Sequence, residues 1–113
     1  GPEEYNDNSA TFISVDEAIK DMDVIMLLRV QFERHSENMK MSVADYHKQY
    51  GLTLDKVAMM KDNAIIMHPA PVNRGVEIAD DVVECEKSRI YKQMTNGVFV
   101  RMSVISLTLD GKL

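Results

Sequence analysis

"DVIMLLRV" (residues 23–30) decides the fold. The run is nearly continuous in apolar residues and shows no alternation of period two. That is how a strand reads when both faces of a parallel sheet are covered. A second run of the same kind, "NAIIM" (residues 63–67), lies downstream. Between them, "QFERHSENMKMS" is polar and reads as loop. Ser42 then starts a helix over "SVADYHKQYG", with Asp45 at its third position and Gly51 as a C-terminal stop. Thr53 starts another over "TLDKVAMMK". Upstream, "GPEEYNDNSA" reads as loop and "TFI" (residues 11–13) as a short strand. "SVDE" is a capping box: Ser14 can accept from the Glu17 amide and Glu17 can reach back, opening a short helix. Strands and helices alternate, which predicts an α/β fold with right-handed parallel crossovers. Two to three parallel strands flanked by helices leave faces and edges uncovered, so the sheet reads as truncated at its beginning.

Past residue 67 the pattern is less decided. "IADDVVECEKSRIYKQM" has helical character. In "TNGVFVRMSVISLTL", Asn96-Gly97 between β-branched runs signals a hairpin. Val98, Met102, Ile105 and Leu109 also recur at helical spacing, and the pattern alone leaves both open.

Composition narrows the function classes. The 113 residues are 45% hydrophobic and 27% charged, ordinary for one domain or part of one. Without tryptophan, aliphatics and nine methionines are expected to fill the core. A net charge of −5 and no basic stripe argue against nucleic-acid binding. No apolar run approaches the ~20 residues of a membrane span, and no charged-then-apolar leader is visible. The single cysteine, Cys85, excludes an internal disulfide framework and fits a reducing, cytoplasmic setting. Flanked by Glu84 and Glu86, it is expected to be chemically passive.

In an open α/β sheet, ligands bind beyond the C-terminal ends of the strands. The first strand end delivers Arg29, Gln31, Glu33, Arg34 and His35; the second delivers His68, Pro69, Ala70, Pro71 and Arg74. Parallel strands end on one side, so both groups can face one cleft. Arg29, closing an apolar run, is expected to be partly desolvated. Its planar guanidinium can take a ligand carboxylate through two parallel hydrogen bonds, or pair with a protein carboxylate such as Glu33. Gln31 can share its ligand or satisfy a loop carbonyl.

In "HPAP", both His68 and Ala70 precede proline, which pushes them toward extended backbone. The segment can hold carbonyls at fixed directions toward a ligand amino group. It can also be only a rigid turn, with or without a cis bond. His68 can act as acid or base, but no serine, cysteine or second histidine stands at a telling spacing, and a structural histidine is the simpler reading. His35 and His47 read as solvated. The acids 80, 81, 84 and 86 complement a helix start rather than hold a metal.

Taken together, "LLRVQFER" and "HPAPVNRGVEI", with "KSRIYKQMTNGVFVRMSVI", closely resemble the bacterial-type aspartate carbamoyltransferase family. The resemblance covers about the last third of such an enzyme. It implies that residues 1–113 form most of a Rossmann-like aspartate-binding domain, lacking its first strand, the arginine after it and the whole carbamoyl-phosphate domain. It implies L-aspartate and carbamoyl phosphate as substrates, no cofactor, no metal, and a homotrimer as the parent assembly. Arg29 and Gln31 fall on the family's aspartate-binding pair. The backbone of Pro69, Ala70 and Pro71 falls on the acceptor for the carbamoyl amino group. Glu33 and Arg34 match residues that support closure; His68 and Arg74, within the second motif, are supporting residues. Residues 37–51 match a segment that swings during closure. The ornithine enzymes usually carry His-Cys-Leu-Pro here, so Pro69 argues for aspartate. The resemblance also favours a helix over residues 88–109, crossing to the other domain. Alone, the 113 residues are expected to show negligible turnover. The alternatives are a fragment of an ornithine-type or other carbamoyltransferase, and a non-catalytic ligand-binding or scaffold module.

Overall fold

The computed structural model describes residues 11–31 and 41–113. Helix α1 (Val15–Asp21) begins at Ser14, whose side chain accepts from the Glu17 amide while Glu17 reaches back to the Ser14 backbone. The chain then enters β1 (Val24–Met26). Helix α2 (Val43–Tyr50), capped by Ser42, and the one-turn α3 (Leu54–Val57) lead to β2 (Ile65–Met67). A 3-10 turn (Asp80–Val82) precedes the long helix α4 (Ile90–Leu109).

The two strands are parallel, with Val24 opposite Ile65 and Met26 opposite Met67. On its other side β2 is bridged by residues 87–89: the Ile66 amide donates to the Lys87 carbonyl and the Arg89 amide donates to the Ile66 carbonyl, at 2.9 and 2.8 Å. β2 is therefore hydrogen-bonded on both sides, and the two parallel strands fit the expected truncated sheet of two to three. Ile66 is fully buried in a core with Ile19, Leu52, Val57, Met60, Ala64, Ile78, Val82, Val83 and Ile90. Burying one such aliphatic side chain stabilises the fold by roughly 1.5–3 kcal/mol.

Several expectations give way. "TFI" forms no strand; among the described residues β1 has β2 as its only sheet neighbour. β1 is not covered on both faces: Val24 and Met26 are 48% and 50% exposed, because no described element lies over them. Among the described residues methionines do not fill the core; Met60 is in it, whereas Met22, Met26, Met59, Met94 and Met102 are exposed.

Gly51 ends α2 without a left-handed conformation, at φ −64. Its missing side chain matters for space instead, since a Cβ there would collide with His47 Nδ1. His47 is not solvated but half-buried, with Nδ1 2.8 Å from the Val76 carbonyl.

The hairpin signal at Asn96-Gly97 loses to the helix, which runs through it. Inside it, Thr95, Ser103 and Thr108 each turn the hydroxyl back onto the carbonyl four residues earlier, at 3.1, 3.0 and 2.7 Å, so these hydroxyls are satisfied within the helix.

Candidate functional site

The parallel register brings the ends of β1 and β2 out on the same side of the sheet. Leu27 still donates to the Met67 carbonyl at 2.9 Å, so the two chains leave the sheet side by side. The two exits then differ in kind.

After β2 the chain turns around a buried polar cluster. His68 is fully buried and Glu77 is 3% exposed. The Ala70 amide donates to His68 Nδ1 at 2.9 Å, so that nitrogen carries a lone pair. The proton therefore sits on Nε2, which donates to Glu77 Oε1 at 3.0 Å. The same carboxylate oxygen accepts from the Asn73 amide at 2.7 Å, and Oε2 lies at a long 3.5 Å from the Val30 amide. The His68 backbone amide donates to the Gln93 side chain at 3.0 Å, tying the corner to α4. His68 is thus a structural histidine fixed in one tautomer. No buried side-chain polar atom among the described residues lacks a partner.

Ala70 departs from the extended backbone expected before a proline. Its φ is +56, in the left-handed region, and the Ala70-Pro71 bond is cis. A residue with a Cβ costs on the order of 1–2 kcal/mol there. The bond from its amide to the locked imidazole holds it in place. Among the described residues, nothing donates to the carbonyls of Pro69, Ala70 or Pro71.

After β1, Arg29 is exposed rather than partly desolvated. Its Nε donates to Asn73 Oδ1 at 3.2 Å, and Asn73 Nδ2 donates to the Val30 carbonyl at 2.7 Å. Arg29 therefore lies against the proline corner, and no carboxylate among the described residues pairs with it. Gln31 is the next polar side chain, and it is exposed. Glu33, Arg34 and His35 lie outside the described residues, as does part of the 37–51 segment.

Arg74 is turned to a different use. Its Nη1 pairs with Asp80 Oδ1 and donates to the Asp80 carbonyl at 3.3 Å. The hydrogen bond to Asp80 pushes the guanidinium pKa up. Tyr46 of α2 belongs to the rear of the cluster; burial raises its phenol pKa, and the Glu77 charge adds to the rise. Cys85 is a free thiol, half-buried against the core. Among the described residues, no three histidine, cysteine or acidic side chains are grouped to hold a metal ion.

Sequence reasoning missed Glu77 and Asn73. Glu77 had a usable signal: an acid between Val76 and Ile78 sits inside an apolar run, and a buried carboxylate needs partners. Asn73 had none, because its role depends on contacts 43 and 44 residues away in sequence.

Residues 3–108 match the family model of the aspartate/ornithine carbamoyltransferase Asp/Orn binding domain. The chain is 53% identical over 116 aligned residues to the aspartate carbamoyltransferase catalytic subunit of Listeria welshimeri, covering 99% of this chain and 38% of that relative. The catalytic subunit of Streptococcus pyogenes serotype M4 is also 53% identical, with 99% and 37% covered. Among solved structures, aspartate transcarbamoylase from Trypanosoma cruzi in complex with carbamoyl phosphate superposes with a TM-score of 0.68 at 27% identity, over 80% of this chain and 27% of that one. Ornithine carbamoyltransferase from Pyrococcus furiosus gives 0.67 at 25% identity, over 83% and 30%. The chain thus spans less than two fifths of the curated relatives it matches.

Proposed function

The chain belongs to the aspartate/ornithine carbamoyltransferase family, as its Asp/Orn binding domain, and on that premise we propose that it supplies the amino-acid half of an aspartate carbamoyltransferase active site. In the reaction, the aspartate amine attacks the carbamoyl carbon of carbamoyl phosphate. A C–N bond forms, the C–O bond to phosphate breaks, phosphate leaves and the amine loses a proton. The product, carbamoyl-aspartate, is committed to pyrimidine synthesis. No protein side chain needs to become covalently attached, so catalysis rests on positioning and on stabilising the tetrahedral intermediate.

Within that scheme Arg29 clamps a carboxylate of aspartate and Gln31 donates beside it. The carbonyls of the 69–71 segment accept from the carbamoyl amino group. The observation that carries the reading is the 3.2 Å bond from Arg29 Nε to Asn73, which sets the guanidinium against the corner that offers those carbonyls. Glu33 and Arg34 support closure. His68 and Arg74 act at one remove, one by fixing Ala70 and the other by pinning the loop to Asp80.

The carbamoyl-phosphate half of the site, α4's crossing onto that half, a homotrimeric assembly and a cytoplasmic location complete the proposal. No helix among the described residues is long and apolar enough to cross a membrane. The fold does not choose between aspartate and ornithine, since enzymes of both kinds superpose equally well. The choice rests on Pro69, where the ornithine pattern has cysteine, and on the aspartate relatives.

The 113 residues alone are expected to show negligible turnover and to hold aspartate at about millimolar strength, ~4 kcal/mol. The test joins this chain behind the part of the Listeria welshimeri relative that it does not match, then assays carbamoyl transfer to aspartate and to ornithine. Turnover with aspartate, lost in Arg29→Ala, is the expected result; turnover with ornithine alone overturns it.

A further inference from the structure

Asn73 uses its backbone amide and both polar atoms of its side chain to join the two strand ends. The backbone amide donates to Glu77 Oε1 at 2.7 Å, Nδ2 donates to the Val30 carbonyl at 2.7 Å, and Oδ1 accepts from Arg29 Nε at 3.2 Å. The orientation of the side-chain amide is forced. Arg29 Nε has only a hydrogen to give and the Val30 carbonyl has only lone pairs, so a flipped amide would set donor against donor and acceptor against acceptor. Asparagine is therefore the side chain of this length and shape that fits both contacts. Aspartate would keep the acceptor for Arg29 but oppose an oxygen to the Val30 carbonyl.

The contact also decides which edge of the guanidinium is presented. Arginine can take a carboxylate side-on, through Nε and one terminal nitrogen, or end-on, through both terminal nitrogens. With Nε engaged by Asn73, the side-on edge is occupied and the terminal Nη1 and Nη2 pair remains.

We propose that Asn73 is a positioning residue for the substrate: it holds Arg29 by Nε so that an incoming carboxylate is bound end-on by the terminal nitrogens. This rests on the reading of Arg29 as the carboxylate clamp. It adds that the direction of the clamp is set from the opposite loop. The anchor is itself fixed, because Asn73 stands on the buried Glu77 carboxylate that also locks His68. One carboxylate thus sets both the proline corner and, through Asn73, the clamp.

The same joined enzyme tests this with two variants. In Asn73→Ala the KM for aspartate should rise about tenfold, the equivalent of ~1.4 kcal/mol, while the KM for carbamoyl phosphate stays within about twofold. In Asn73→Asp, which keeps the side chain's size, a tethered carboxylate competes for the same guanidinium, so the KM for aspartate should rise further. If Asn73→Ala does not fold, Asn73→Asp alone decides. An Asn73→Asp enzyme that loses only kcat, or binds aspartate as the parent does, overturns the proposal.

A second readout does not depend on turnover. The Arg29 Nε–H resonance should exchange slowly in the parent and markedly faster in Asn73→Ala; an unchanged rate also overturns it. If the parent itself transfers nothing to aspartate, the reading of Arg29 as an aspartate clamp fails, while the Nε–H exchange still reports separately on Asn73.

Discussion

Within ten residues, the corner at 68–77 buries an imidazole and a carboxylate and partners both; over its 20 residues, α4 buries one side chain, Ile90. The corner is polar and closed. The helix is apolar and open, with Phe99, Met102 and Ile105 each about three-fifths exposed. A buried charge or hydrogen-bonding group must find its partners nearby, because leaving it unpaired costs more than most single contacts gain. An exposed apolar side chain leaves no polar group unpaired, so α4 places no such demand on its surroundings. The corner's geometry is therefore determined inside this chain, and among the described residues the helix is tied to the body at its first turn, through Ile90, the Tyr91 hydroxyl on Glu84 and the Gln93 side chain.

The largest expected effect breaks the closed side of that contrast. Glu77→Ala strips the acceptor from His68 Nε2–H and from the Asn73 amide. Hydrogen bonds to a charged group contribute roughly 1.5–3 kcal/mol each, so a loss of about 4 kcal/mol in urea unfolding is expected. That is a large share of the ~5–15 kcal/mol of a typical domain. A loss below about 1 kcal/mol would mean that water replaces the carboxylate without difficulty and that the corner is not closed.

A matched pair sharpens the other side. Ile66→Ala opens a cavity at β2 and should cost roughly 2–5 kcal/mol. Phe99→Ala removes a larger side chain from a face that is 62% exposed and should change stability by less than ~0.5 kcal/mol. Both are read by denaturant midpoint. Equal losses would show that something covers α4 after all.

The same contrast explains what the sequence could reveal. The parallel α/β reading came from apolar runs, and the helix starts at Ser14 and Ser42 came from side chains that bond within three residues. Such signals are local, so they survive in the sequence. Arg29 and the 69–71 segment were singled out because both end strands, and the register sets them on one side. The exposure of Val24 and Met26 was not legible: a strand of apolar residues reads the same whether or not its second face is covered. Nor was the left-handed Ala70, whose conformation depends on an imidazole anchored by Glu77, seven residues beyond it. Asn73 shows the limit most clearly, since all its side-chain partners come from the other strand end.

A smaller effect is expected at the end of α2, where space rather than polarity is the constraint. In Gly51→Ala the new methyl would collide with the His47 ring and carbonyl. His47 must then swing away from the Val76 carbonyl, one residue before Glu77. Overpacking of this kind costs about 1–3 kcal/mol. The histidine's ring resonances should shift with it, and a variant of parental stability with an unmoved ring would show that α2 shifts as a body instead.

The smallest effect lies at the start of α1, far from the corner in sequence and built from bonds within three residues. Ser14→Ala removes the side-chain acceptor for the Glu17 amide and should cost about 1 kcal/mol by thermal or urea melting. The cap also carries a pH signature with a definite sign. Hydrogen bonds from the Ser14 side chain and then its backbone favour the charged Glu17, lowering its pKa in the folded chain. A group whose folded pKa is depressed stabilises the fold above its unfolded pKa, and the benefit disappears as pH falls through the folded value. The stability difference between Ser14→Ala and the parent should therefore be full at neutral pH and shrink in acid, below the usual glutamate range. A difference that stayed constant through that range would mean that the serine acts on the helix only through its bond to the Glu17 amide, without the reciprocal carboxylate.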